Sequence, residues 1–206
     1  MEEAIYNITA VANNKEKGLS YRANFKRYNK AKASEFYLEC LWILYAVLED
    51  RTSAFLYYLG FTGEENRGSV TGSKKIKSQI RQICNIDENN ARYKFDTMSG
   101  KLERIGQVIA WSSEATEEVT DYQRSIKNAV EKLVADKEFM YYFEYLNNEW
   151  RNKRNQLTHA LFNKNPNIVV SELLPLVDDG YKAARVLDGA VTKLKKEKIR
   201  NRYKIK

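Results

Sequence analysis

The sequence predicts an all-α protein, a helical bundle in which a long late helix is followed by one C-terminal helix. Three observations carry that expectation. Helix-forming Ala, Leu, Glu, Lys, Arg and Gln fill most of the chain, with only two prolines and nine glycines among 206 residues. Apolar residues recur at helical spacing through several segments. The 43% apolar content, with 12% aromatics, is enough to build a core and excludes a disordered chain.

The N-terminal region reads as a short helix over Glu3 to Asn13 and a basic one following Ser20. The strongest pattern covers Lys32 to Leu59, where Phe36, Leu38, Leu41, Trp42, Tyr45, Leu48, Phe55 and Leu59 mark an apolar face. Four glycines with Thr, Asn and Ser make Gly60 to Ser73 a loop, without the Gly-Lys-Ser/Thr ending of a phosphate-binding loop. Helices are expected over Lys74 to Cys84, Met98 to Trp111 and Thr120 to Val134, with an Asn/Asp-rich turn at Asn85 to Asn90 and Thr120 or Asp121 as a cap. Asp136 caps a long helix from Lys137 to about Phe162, apolar at Phe139, Met140, Phe143, Leu146, Trp150, Leu157 and Leu161. Asn163 to Pro166 stops it. The last helix is expected from Ser171 to about Arg202, with Pro175 near its first turn.

The chain reads as one domain over 1–206, with 1–31 a basic N-terminal extension and 193–206 a basic C-terminal tail. Eight basic residues against Glu197 give the tail most of the net charge of +8. Lys15 to Lys32 adds seven more against Glu16, with Tyr21, Phe25 and Tyr28 interleaved. Such clusters track a phosphate backbone, and aromatics stack on unpaired bases. Taken alone, a basic helical face or tail is more often simply solvated surface.

Cys40 and Cys84 lie far apart in apolar helical sequence and read as buried thiols in a reducing compartment. The opening Met-Glu-Glu-Ala-Ile-Tyr lacks the basic start and apolar run of a signal peptide. Phe36 to Leu48 contains Glu39 and is shorter than the roughly 20 residues a membrane span needs. A cytoplasmic protein without a membrane partner is expected. One His and two separate Cys supply no zinc set, and no acidic cluster has ligand spacing, so no metal and no cofactor is expected. No G-x-S-x-G nucleophile elbow occurs.

His159 is the only histidine, the side chain best suited to proton transfer near neutral pH. Arg151, Asn155 and His159 are spaced i, i+4, i+8 and form one polar stripe on a helix, with Arg154 and Thr158 on the adjacent stripe. Arg154 and His159 are about 140° apart around that helix, a gap a long Arg side chain closes only in part. Glu35, Glu39 and Glu49 on the Lys32–Leu59 helix either help position Arg154, face solvent or pair with lysines.

At Arg154-Asn155-Gln156-Leu157-Thr158-His159 the sequence resembles the HEPN superfamily, whose signature in its tighter form is Arg-Asn-x-x-x-His on a late helix of a bundle. The resemblance extends in outline from Lys32 to Leu194, with six residues carrying its specificity. It implies metal-independent RNA cleavage, in which a ribose 2′-OH attacks the adjacent phosphate and leaves 2′,3′-cyclic phosphate and 5′-OH ends. Arg154, His159 and Asn155 are then the catalytic residues. Arg151, Lys153 and Thr158 are expected to bind RNA beside them, as are Lys193, Lys195, Lys196, Lys198, Arg200 and Arg202 of the tail. With a single His per chain, proton uptake and release by two groups calls for two chains, so a homodimer with a composite site is expected.

A stand-alone abortive-infection protein or toxin is the member most similar, silenced by an antitoxin or other regulatory partner. Toxins paired with a nucleotidyltransferase antitoxin often carry Tyr two residues after the His. Here that position is Leu161, which argues against a tyrosine-modifying partner. Two other readings stay open: a non-catalytic helical module binding RNA or protein through the basic tail, and a structural bundle with no RNA affinity.

Overall fold

A computed structural model describes residues 14–63, 70–86, 97–115, 119–160, 163 and 166–205. The described chain is an all-helical bundle: α1 Asn14–Ala33, α2 Tyr37–Tyr58, α3 Lys74–Ile83, α4 Met98–Glu114, α5 Asp121–Val134, α6 Lys137–Tyr145, a π turn Leu146–Trp150, α7 Arg151–Ala160, α8 Pro166–Glu197 and α9 Ile199–Arg202. An isolated antiparallel bridge, Thr62 to Val70, closes the glycine-rich loop. The helix expected at Glu3 to Asn13 lies outside the described residues. No helix among those described is long and apolar enough to cross a membrane.

The expected Lys32–Leu59 helix is in fact two elements. Between α1 and α2, Glu35 takes a left-handed conformation at φ 60°, the Phe36 amide donates to the Ala31 carbonyl at 2.8 Å and the Glu35 amide to Lys32 at 3.1 Å. This is the paired-bond helix ending that glycine usually supplies. A glutamate holds it here, so no glycine or proline marks the break. The same bond pattern ends α2 at Gly60 (φ 85°) and α3 at Asn85 (φ 46°), where residue type did announce the stop.

α1 folds back antiparallel along α2. Tyr21, Phe25 and Tyr28 fall at i, i+4 and i+7, one helix face, and that face is turned inward. Tyr28 is buried and stacks on Tyr181 of α8 at 5.3 Å, while Phe25 meets both rings edge-on. These aromatics therefore pack the bundle instead of offering a platform to bases. From Asn14 onward the segment expected as an extension is a bundle helix.

α2 and α8 share the longest seam and run parallel: Lys32, in the last turn of α1 beside the start of α2, pairs with Asp178 at 2.6 Å, and Arg51 toward the other end of α2 pairs with Asp188 at 2.8 Å. Leu41, Leu44, Leu48, Phe55 and Leu56 of α2 are buried against Leu173, Val177, Ala184, Leu187 and Val191 of α8 within one core. α8 starts at Pro166, five residues before the expected Ser171. That proline had the look of a stop, and it opens the next helix, where a missing N–H costs nothing. Pro175 accordingly sits inside α8, deeper than its first turn.

Ser20, expected to open a helix, lies inside α1, but two later caps agree with the expectations. Thr120 accepts from the Gln123 amide in a capping box, and Asp136 accepts from the Glu138 and Phe139 amides. The continuous helix expected after Asp136 is interrupted: Leu146 to Trp150 form a π turn. Trp150 is fully buried there, its Nε1 donating to the Leu176 carbonyl at 2.9 Å. Gly180 makes that approach possible, since a Cβ would lie 2.6 Å from Trp150 Nε1.

The C-terminal segment is docked, not free. Arg200 is buried, lies 3.9 Å from the Tyr57 ring centroid, and donates to the carbonyls of Thr62 (2.6 Å) and Tyr57 (3.3 Å). Ile199 and Ile205 are buried, Ile205 over Gly60 and Gly72.

Candidate functional site

α7 follows the π turn as a regular helix, so the expected spacing around Arg151–Ala160 holds there. Its inner edge is set by half-buried Leu157 and buried Ala160. Asn155, Thr158 and His159 are exposed, and the Thr158 hydroxyl donates to the Arg154 carbonyl at 2.8 Å. Leu161 and Phe162 lie outside the described residues.

Arg154 leaves the outer face and turns toward α2. Its guanidinium lies over the ring of Tyr45, 4.1 Å from the centroid, a cation–π stack. Its Nε is buried and has no hydrogen-bond partner among the described residues. Leu38, Leu41, Trp42 and Tyr45 of α2 line a shallow depression with Arg154 and Thr158 of α7. Trp42, expected in the core, is 68% exposed at its rim. It sits about 100° around α2 from buried Leu41, at the edge of the apolar face.

Arg151 points to α4 instead, donating to the Ser99 hydroxyl. Lys153 pairs with Glu149 at 3.1 Å across one helical turn, both partners exposed. The three glutamates considered for Arg154 go elsewhere. Glu39 pairs with Arg27, Glu49 with the buried Lys101 of α4 at 3.3 Å, and Glu35 forms the break before α2.

Of the predicted residues, Arg154 and Thr158 stand beside Tyr45 and Trp42, which sequence reasoning placed only in the core, while Arg151 turns to α4, Lys153 to Glu149, and Asn155 and His159 are exposed. The tail residues lie elsewhere. Arg200 holds Tyr57, twelve residues beyond Tyr45 and so about 18 Å along α2. Burial and two carbonyl partners commit Arg200 to the fold, so it is not placed to meet RNA. Lys193 pairs with Asp136 at 2.9 Å, and Arg202 donates to Ser125 Oγ at 3.0 Å and to the Glu197 carbonyl. Lys195, Lys196 and Lys198 are exposed.

Neither thiol is placed to act as a nucleophile. Both are buried; burial pushes the Cys84 thiol up to about 12 and also raises that of Cys40, so both are neutral at pH 7. Among the described residues no group of three His, Cys, Asp or Glu side chains is arranged to hold a metal. What the α7 surface offers is an imidazole open to solvent, an amide beside it, and a guanidinium one side of which is fixed on a ring. Comparison of the chain with protein-family models, curated proteins and solved structures gave no match.

Proposed function

We propose that this chain is a metal-independent endoribonuclease of the HEPN type, cutting RNA at the α7 surface. The observation that carries the reading is the disposition of Arg154-Asn155-Gln156-Leu157-Thr158-His159 on one regular helix, with Arg154 docked on Tyr45 and His159 exposed. In the reaction the ribose 2′-oxygen loses its proton and bonds to phosphorus, and the bond to the 5′-oxygen breaks as that oxygen gains a proton. His159 serves one of the two proton transfers, Arg154 offsets the extra negative charge on the phosphorane, and Asn155 hydrogen-bonds the phosphate.

A second His159 is needed for the other transfer, which is why the proposal includes a homodimer joined at α7 about a twofold axis. The biological role proposed is abortive infection or toxicity in the cytoplasm, held silent by an antitoxin or other regulatory partner. A non-catalytic binding module is favoured by one observation, the exposed row Lys195, Lys196 and Lys198 far along the bundle from α7.

The two readings separate in one assay. Purified protein is incubated with labelled RNA in chelator, alongside His159→Ala. The expected result is cleavage to cyclic-phosphate ends, reduced by about 10²-fold or more in the variant. Cleavage unchanged in His159→Ala removes His159 from the mechanism. In the composite dimer, adding His159→Ala chains to wild-type chains lowers the activity per wild-type chain, because each mixed dimer holds one His159 and lacks the group for the second proton transfer.

A further inference from the structure

The depression beside Arg154 pairs a large exposed aromatic ring with a guanidinium not neutralised by a described carboxylate. Trp42 is 68% exposed, although it sits in the most apolar of the described helices. Leu38 and Tyr45, one turn either side of it, are both half-buried. Trp42 therefore stands as the raised outer wall of the depression, with Arg154 and Thr158 as the facing wall on α7.

Each part fits one portion of a nucleotide. An indole face stacks on any base, and only an unpaired base exposes its own face for stacking. A guanidinium takes the attached phosphate in bidentate fashion. Thr158 and Asn155 offer hydroxyl and amide groups on the same helix, and the residue after Thr158 is His159.

We propose that Trp42 is the base-stacking residue of this site, so that the chain takes single-stranded RNA with an unpaired base on Trp42 and the adjoining phosphate at Arg154. The inference rests on the RNA reading of the same α7 surface. It assigns the substrate class, unpaired rather than duplex RNA. It also places recognition at the α2 end nearest α7 instead of at the C-terminal lysines.

The test uses the full chain and a fluorescently labelled, unstructured 2′-O-methyl oligonucleotide, which lacks the attacking hydroxyl and reports binding without cleavage. The expected result is that the single strand binds at least about tenfold tighter than the same strand annealed to its complement. Trp42→Ala weakens that binding about tenfold, equivalent to about 1.4 kcal/mol, and Trp42→Phe restores most of it. Trp42→Leu, which keeps an apolar side chain without a π face, does not restore it.

Equal affinity for duplex, wild-type binding by Trp42→Ala, or rescue by Leu as complete as by Phe would each overturn the proposal. So would a Trp42→Ala chain that turns from dimer to monomer, since a second copy would then be the occupant. If Trp42→Ala does not fold, Trp42→Leu against Trp42→Phe carries the comparison alone. Binding lost with Trp42 in a chain that never cuts RNA upholds this inference and rejects the nuclease. Cleavage that needs His159 but ignores Trp42 does the reverse.

Discussion

Among the described residues Arg154 is held by a ring and not by a carboxylate, and that difference bears on its use. An acidic partner would spend the positive charge, whereas the face of Tyr45 at 4.1 Å orients the guanidinium and leaves its charge for an anion. On the ribonuclease reading proposed above, Tyr45 is a positioning residue for Arg154. Replacing Tyr45 with Ala releases the head group, and a stack worth about 1–2 kcal/mol translates into roughly a 5- to 30-fold fall in kcat. KM changes little if the phosphate contact matures only as charge builds on it. Tyr45→Phe keeps the ring and is expected to recover most of the rate, an outcome that steady-state cleavage kinetics check directly. A Phe variant as poor as Ala would show that the hydroxyl, not the ring, matters. The Arg-Asn-x-x-x-His pattern singles out Arg154 and His159 because it needs only spacing, and on α7 the two stand about 140° apart around the helix. Tyr45 was not legible as their neighbour. Its register on α2 fixes an apolar face, but which helix meets that face is settled by tertiary packing.

At the scale of elements, the π turn at Leu146–Trp150 decides which way α7 faces. A π turn carries one residue more than the α-helical path, so removing that residue turns everything after it by about 100° relative to α6. The Leu-Asn-Asn-Glu-Trp sequence has no proline or glycine to announce it, and the apolar spacing of Phe143, Leu146 and Trp150 suits an ordinary helix. What holds the turn lies on another element: the Leu176 carbonyl that accepts from Trp150, and the space left by Gly180. Deleting the exposed Asn148 should let α6 and α7 join as one regular helix. Circular dichroism is expected to show unchanged helix content with a modestly lower Tm, while the RNA cleavage proposed above is lost because α7 presents the wrong stripe. Retained cleavage would mean that α7 tolerates either register. Thr120 and Asp136 were legible as caps because a cap acts through its own neighbouring amides. The break at Glu35 and the docking of Arg200 were not, since one rests on an uncommon conformation for its residue type and the other on carbonyls well over a hundred positions away.

For the molecule as a whole, composition and periodicity foretold the helical bundle, but charge counting misjudged its two basic ends. Both carry inward-facing groups among the lysines, Tyr28 and Ala31 in α1 and Ile199 and Ile205 at the C-terminus, and both close onto the bundle. The N-terminal closure is centred on Asp50. Its carboxylate takes Lys17 Nζ at 2.6 Å, the Tyr21 hydroxyl at 2.6 Å and Arg51 Nη2 at 2.5 Å, while Arg51 also reaches Asp188 of α8 and lies 4.6 Å from the Tyr21 ring. Burial by itself would raise the Asp50 carboxyl, but hydrogen bonds from Lys17, Tyr21 and Arg51 outweigh it and hold the group below the ordinary carboxylate range. A depressed folded value means the unfolded chain binds the proton more readily, so Asp50 contributes stability that is fully present above about pH 4. That contribution is lost as pH falls through the folded value. Asp50→Asn is expected to lower stability at pH 7 by on the order of 2 kcal/mol, read by urea unfolding, with α1 loosened first. On acidification the variant should lose less than the wild-type chain, so the gap between them narrows steadily below pH 4. A gap that stays constant down to pH 2 would place the acid sensitivity elsewhere and leave Asp50 a purely steric contact between α1, α2 and α8.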